Sequence, residues 1–103
     1  MSKMSKACAI PRKVKEAVWE RDGGCCILCG NPHASPNAHI VPRSRGGMGI
    51  EQNIVTLCPD CHRAFDQGTD RRKLYQQVSQ YMAEIYPGWN PQNLIYRKWE
   101  NAK

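Results

Sequence analysis

Apolar residues change their spacing several times along the chain, and each change marks a predicted element. Between Pro11 and Arg21, Val14, Ala17 and Val18 recur at helical intervals while Arg12, Lys13 and Lys15 take the remaining surface, which predicts a helix over residues 11–21. Pro11 suits its first turn, and Asp22-Gly23-Gly24 ends it. Residues 1–10 are polar and show no apolar period, so a frayed tail is expected there. Residues 31–37 are almost all turn formers and read as a loop. Two short β-branched or apolar runs, residues 38–41 and 54–57, predict strands, separated by the glycine- and arginine-rich stretch 43–49. A short helix should open at Cys58 and close near Gly68. A longer one, capped by Asp70, should run over 71–86 with Leu74, Val78, Met82 and Ile85 as its stripe. Pro87-Gly88 breaks it, and Asn90-Pro91 starts a last short helix through Trp99.

The chain has 103 residues, enough for one small domain whose core is marginal without a metal or disulfides. Six cysteines therefore matter. Four form two CxxC pairs, Cys26-Ile-Leu-Cys29 and Cys58-Pro-Asp-Cys61. No h-region of a secretory signal and no membrane-length apolar run is visible, so reduced thiols in a cytoplasmic setting are expected. Two such knuckles match tetrahedral thiolate coordination of structural zinc; redox thiols are the competing reading. Cys25 could replace Cys26 only by making a less regular CxxxC, and Cys8 reads as an unpaired thiol. The 28 residues between the knuckles exceed the ~15–20 of a simple zinc ribbon, so a strand, a loop and a strand are inserted there.

With 15 Lys+Arg against 9 Asp+Glu, the formal charge is +6, and the segment through Arg21 carries +4 of it. Such a balance favours an anionic partner, nucleic acid above all. Trp19, Trp89 and Trp99 lie beside apolar helical patterns and read as packing residues, and no array of aromatics suggests single-strand binding. His33 lies in a polar loop and is assigned no role.

The insertion runs Ala38-His39-Ile40-Val41-Pro42-Arg43-Ser44-Arg45-Gly46-Gly47, then Asn53-Ile54-Val55-Thr56-Leu57-Cys58-Pro59-Asp60-Cys61-His62. In its combination of His-Ile-x-Pro, Gly-Gly, Asn-Ile-Val and Cys-x-x-Cys-His it resembles the HNH endonucleases, especially small phage-type members braced by two CxxC pairs. The likeness covers about half the chain. It implies an α+β fold, a zinc-braced ββα-metal core over residues 25–68 of a single domain, with helices flanking it at 11–21 and 70–103. It also implies hydrolysis of phosphodiester bonds in double-stranded DNA. His39 would be the general base, His62 a ligand of the catalytic divalent cation and Asp66, one turn later on the same helix face, a second ligand. Asn53 would tie the loop backbone and aim His39. Cys26, Cys29, Cys58 and Cys61 would hold the structural zinc.

Elementary chemistry agrees with this assignment. One imidazole and one cation can serve both the nucleophile and the developing charge of a phosphodiester hydrolysis. Cys61 and His62, about 100° apart on a helix, can face the brace and the cleft respectively. Ala38 departs from the many HNH proteins that carry Asp or His before the base. The resulting open site suits Mg²⁺ or Mn²⁺, while an imidazole ligand also accommodates Zn²⁺ or Ni²⁺. Arg43, Arg45 and Arg63 flank it and are candidate DNA-phosphate contacts. Two other readings compete: a zinc-stabilised DNA-binding module without activity, and a subunit docking on a terminase or other phage packaging or recombination protein. The chain is expected as monomer or homodimer, with weak sequence discrimination, in the host cytoplasm if phage-encoded.

Overall fold

The computed structural model describes residues 3–97. Its elements, in chain order, are α1 (Lys3–Cys8), α2 (Arg12–Arg21), β1 (Ser35–His39), β2 (Ile54–Leu57), α3 (Pro59–Gln67) and α4 (Arg71–Ile85), with 3₁₀ turns at Arg43–Arg45, Glu51–Asn53 and Pro91–Leu94. The two strands form one antiparallel hairpin, with Ala38 opposite Val55 and His39 opposite Ile54, and the register shifts between Ser35 and Ala38. The architecture is α+β: a small hairpin with helices packed around it. Among the described residues no helix is long and apolar enough to cross a membrane.

Strand alternation places the core. Ala38 of β1 and Ile40 just beyond its end, with Val55 and Leu57 of β2, share a buried cluster with Phe65 of α3 and Val78 and Met82 of α4. Burial of each large member of that set contributes about 1.5–3 kcal/mol. Phe65 also stacks on Tyr75, with ring centroids 6.3 Å apart, which fixes α3 against α4. Ile54 and Thr56 are buried too, with α2 packed against both strands.

A polar cluster joins elements remote in sequence. Asp22, the residue that ends α2, accepts from the backbone N–H of Thr56 (2.9 Å), the Tyr81 hydroxyl (2.7 Å) and the Arg21 guanidinium (2.8 and 3.1 Å). Arg21 in turn donates to the carbonyls of Glu51 and Ile54, both at 2.7 Å, and to the Tyr86 hydroxyl at 3.2 Å. One ion pair thereby pins α2, β2 and α4 together with its hydrogen bonds made.

The predicted α2, β2, α3 and α4 lie within a residue or so of the observed elements. Three regions differ. The first strand begins at Ser35, inside the stretch expected as a loop, where Ser35 pairs with Leu57. It ends at His39, not Val41, because the backbone of Ile40 and Val41 bonds to the backbone and side chain of Asn53 instead of to a longer partner strand. After α4 the chain makes a 3₁₀ turn and a single bridge from Ile95 to Gly47 in place of a helix; Trp99 lies outside the described residues. Residues 3–8, expected as a frayed tail, form α1, and its C-terminal end docks on the core with Cys8 only 2% exposed. Of the tryptophans, Trp89 packs at the core edge and donates to the Gln52 carbonyl, whereas Trp19 remains 39% exposed.

Candidate metal centre and active site

The brace is built from two backbone turns. In the first, Gly30 N–H donates to the Cys26 carbonyl (2.8 Å) and Cys26 N–H to that of Asn31 (2.9 Å). In the second, Cys58 is the N-cap of α3, and its Sγ accepts from Cys61 N–H at 3.4 Å. The four ligand sulfurs of Cys26, Cys29, Cys58 and Cys61 lie within 4.8 Å of one another, and those of Cys29 and Cys58 are 3.6 Å apart. A zinc ion at ~2.3 Å from each sulfur needs a tetrahedron with edges of about 3.8 Å, so the cluster fits that ion. Cys25 points elsewhere, its Sγ lying 3.7 Å from the Asp22 carbonyl, which settles the first knuckle on Cys26. Burial opposes ionisation of Cys26, but N–H groups of Cys58, Cys29 and Leu28 outweigh it and bring its pKa to about 7. Cys61 moves the opposite way, pushed up by burial and by its three sulfur neighbours. Four sulfurs this close could hold a cation, and the donor set is one that suits zinc.

Helix α3 carries the brace into the second centre. Cys61 belongs to the sulfur cluster, while the next side chain, His62, lines an open cavity of about 560 Å³. Ile10, Asn37, His39, Pro42, Arg43, Ser44, Asp66 and Arg71 complete its wall. One turn along α3, Asp66 Oδ2 lies 3.2 Å from His62 Nε2, and both side chains are partly open to solvent. Cis ligands of an octahedral ion at ~2.1 Å lie about 3.0 Å apart, so this pair fits two neighbouring positions of a small divalent cation.

His39 enters the same cavity from the end of β1. Its Nε2 lies 2.8 Å from the Cys8 carbonyl. Burial lowers its pKa below the ordinary imidazole value. The Arg43 and His62 charges act in the same direction, against the Cys8 hydrogen bond and the Asp66 charge. Ala38, one residue earlier, is fully buried among Ile40, Val55 and Phe65 and supplies nothing to the cavity.

Asn53, itself fully buried, shapes the loop between the strands. Its Oδ1 accepts from Val41 N–H (2.8 Å), and its Nδ2 donates to the carbonyls of Val41 (3.2 Å) and Met48 (2.8 Å). The side-chain amide thus continues the ladder beyond His39 and closes the arginine-bearing loop. Gly47 is required there, since a Cβ would lie 1.7 Å from the Val41 carbonyl oxygen.

His39, His62, Asp66 and Arg43 therefore converge on one cavity. Arg45 and Arg63 do not line it: Arg45 is exposed on the adjacent turn, and Arg63 lies 3.7 Å from Asp60 on the exposed face of α3. Sequence reasoning missed Arg71 and Ile10 as wall residues. Neither belongs to the motif, and only the packing of α4 and of the N-terminal segment brings them there.

Known proteins share this region. The family model described as HNH endonuclease matches residues 26–77. Anaredoxin from Nostoc sp. is 34% identical over 58 residues, a match covering 55% of this chain and 76% of that protein. The type IV methyl-directed restriction enzyme EcoKMcrA of Escherichia coli is 29% identical over 75 residues, covering 63% of this chain and 27% of the enzyme. The match thus spans about a quarter of the restriction enzyme's length. Residues 26–77 contain both sulfur knuckles, the hairpin with His39 and Asn53, and α3 with His62 and Asp66. The chain belongs to the HNH endonuclease family.

Proposed function

We propose that the chain is a metal-dependent endonuclease that hydrolyses phosphodiester bonds in double-stranded DNA, with His39 as general base. The observation that carries this reading is the convergence of His39, the His62–Asp66 pair, Arg43 and Arg71 on one open cavity. Neutral near pH 7 because its pKa is lowered, the His39 imidazole can take a proton from an attacking water. Arg43 and Arg71 neutralise the phosphate and hold the scissile group against the ring. His62 and Asp66 would hold the divalent cation, which when bound supplies charge stabilisation at the phosphoryl and leaving oxygens. Mg²⁺ or Mn²⁺ suits a site with two protein donors and room for several waters; the imidazole also admits Ni²⁺ or Zn²⁺. Asn53 positions His39 without entering the chemistry. Exposed Arg45 and Arg63 extend the basic surface toward flanking phosphates.

A restriction enzyme among the relatives supports DNA as the substrate class. Action within a phage packaging assembly is a separate proposal, tested by whether a terminase-like partner stimulates cleavage. With one small domain and no separate reading module among the described residues, sequence discrimination should be weak. Incubation of supercoiled plasmid with the zinc-loaded protein and Mg²⁺, Mn²⁺, Ni²⁺ or Zn²⁺ tests the reading. Nicking that requires at least one of these ions is expected. DNA binding without nicking under every ion would leave a zinc-stabilised binding module instead.

A further inference from the structure

The Cys8 carbonyl that His39 contacts lies outside the family-matched residues, 31 positions upstream of the histidine. A carbonyl oxygen only accepts, so the imidazole nitrogen facing it carries the proton. In the neutral ring the other nitrogen, Nδ1, then holds the free lone pair.

The segment that delivers this carbonyl is docked by its backbone. Gly49 N–H donates to the Ala7 carbonyl at 2.9 Å, and Ala9 N–H closes α1 on the Ser5 carbonyl at 3.1 Å. Gly49 must be glycine here: a Cβ would lie 2.0 Å from the Ala9 carbonyl oxygen and 3.0 Å from the Ile10 Cα. Gly49 is itself placed by Asn53, whose Nδ2 holds the carbonyl of the preceding Met48. Ile10 continues from the docked segment into the cavity wall. Asn53 thus anchors the Met48–Gly49 backbone, that backbone seats residues 7–10, and their Cys8 carbonyl reaches His39.

We propose that residues 7–10 are a positioning element of the active site: the Cys8 carbonyl holds the His39 ring in the Nε2–H tautomer and turns Nδ1 to the cavity as the nitrogen that accepts the proton from water. The inference rests on His39 acting as base, but it assigns the orientation of that base to an N-terminal segment outside the motif. Losing the contact should leave DNA binding and the zinc brace intact while the imidazole rotates freely about its side-chain bonds.

Nitrogen-15 spectra of the zinc-loaded 103-residue chain test this directly. In the wild type, His39 should show a protonated Nε2, an unprotonated Nδ1 and a ring N–H slow to exchange with water. Gly49→Ala, which forces the segment away, should speed that exchange at least about tenfold. It should also lower kcat by ~10–100-fold, the usual cost of losing a histidine-orienting partner, with KM for DNA and zinc content unchanged. Protonation of His39 on Nδ1 in the wild type would overturn the proposal. So would a Gly49→Ala protein that retains both the protected N–H and full kcat. Should that variant lose zinc and unfold, the wild-type tautomer and exchange rate decide alone. The spectra report ring orientation whether or not DNA is cut, so a protected Nε2–H in a chain that never nicks DNA defeats the nuclease reading and leaves the docking intact.

Discussion

Two acid–base pairs in this molecule use similar groups in opposite ways. In the Arg21–Asp22 pair the side chains are 11% and 0% exposed, and every carboxylate oxygen is engaged by a guanidinium, a backbone N–H or a tyrosine hydroxyl. In the His62–Asp66 pair they are 31% and 50% exposed, and the two groups meet at the edge of a cavity. The first has no lone pair left to offer a ligand; it holds helices to the hairpin. The second keeps donor capacity directed to solvent, which a cation requires. Charge in a small basic domain is therefore informative through saturation: closed pairs brace the fold and open ones can bind.

Removal of a partner should separate the two. Asp22→Ala leaves Arg21 buried without its counter-charge and strips partners from Thr56 N–H and Tyr81, so a loss of about 3–5 kcal/mol in unfolding free energy is expected. Chemical denaturation measures it; a loss below ~1 kcal/mol would mean that the cluster does not brace the fold. Asp66→Ala should do the reverse, with stability within ~0.5 kcal/mol of wild type, as for surface substitutions generally. Its nicking rate at limiting cation should fall about 10–100-fold, and higher metal concentration should recover part of it. Unchanged metal dependence would remove Asp66 from the cation site.

Smaller effects sharpen the contrast. Tyr81, whose hydroxyl donates to Asp22, has its pKa pushed up to about 12, first by burial and then by that carboxylate. Tyr81→Phe should cost ~0.5–1.5 kcal/mol of stability and leave the nicking rate per folded molecule unchanged. The smallest expected effect is a pH response. His39 titrates below its ordinary value of ~6.5, so its neutral form is fully present above that pH and is lost as pH falls through the lowered value. The acid limb of kcat/KM should accordingly lie below pH 6.5. Between ~6.5 and the folded pKa only the unfolded chain takes up the proton, so stability also declines slightly with acidification. An acid limb above pH 7 would contradict the burial of this imidazole.

What the sequence displayed and what it hid follow the same division. The CxxC pairs, the β-branched run of β2 and the stripe of α4 are local patterns, each set by spacing within a few residues. The structure has them where they were read, except that Ile85, the last residue of the stripe, is 37% exposed at the end of α4. The motif residues of the cavity were legible for the same reason. The Arg21–Asp22 cluster was not, because its partners Tyr81 and Tyr86 lie 59 and 65 positions away and carry no pattern that links them. Residues 3–8 were misread as a tail because their attachment is made by the carbonyls of Ala7 and Cys8 and by one buried side chain, Cys8, which sets no period. Gly49 was the one trace of that docking, and a glycine in a glycine-rich loop does not announce which backbone it admits. Arg71 reached the cavity through the packing of α4, whose stripe is visible but whose direction is not.

The central claim is that one half-buried imidazole beside the His62–Asp66 pair performs the proton transfer. Plasmid nicking by His39→Ala, measured beside the wild type under the most effective cation and at equal zinc content, addresses it directly. A fall of at least ~10²-fold with unchanged DNA binding is predicted, as for loss of a general base. Nicking by the variant at the wild-type rate would contradict it.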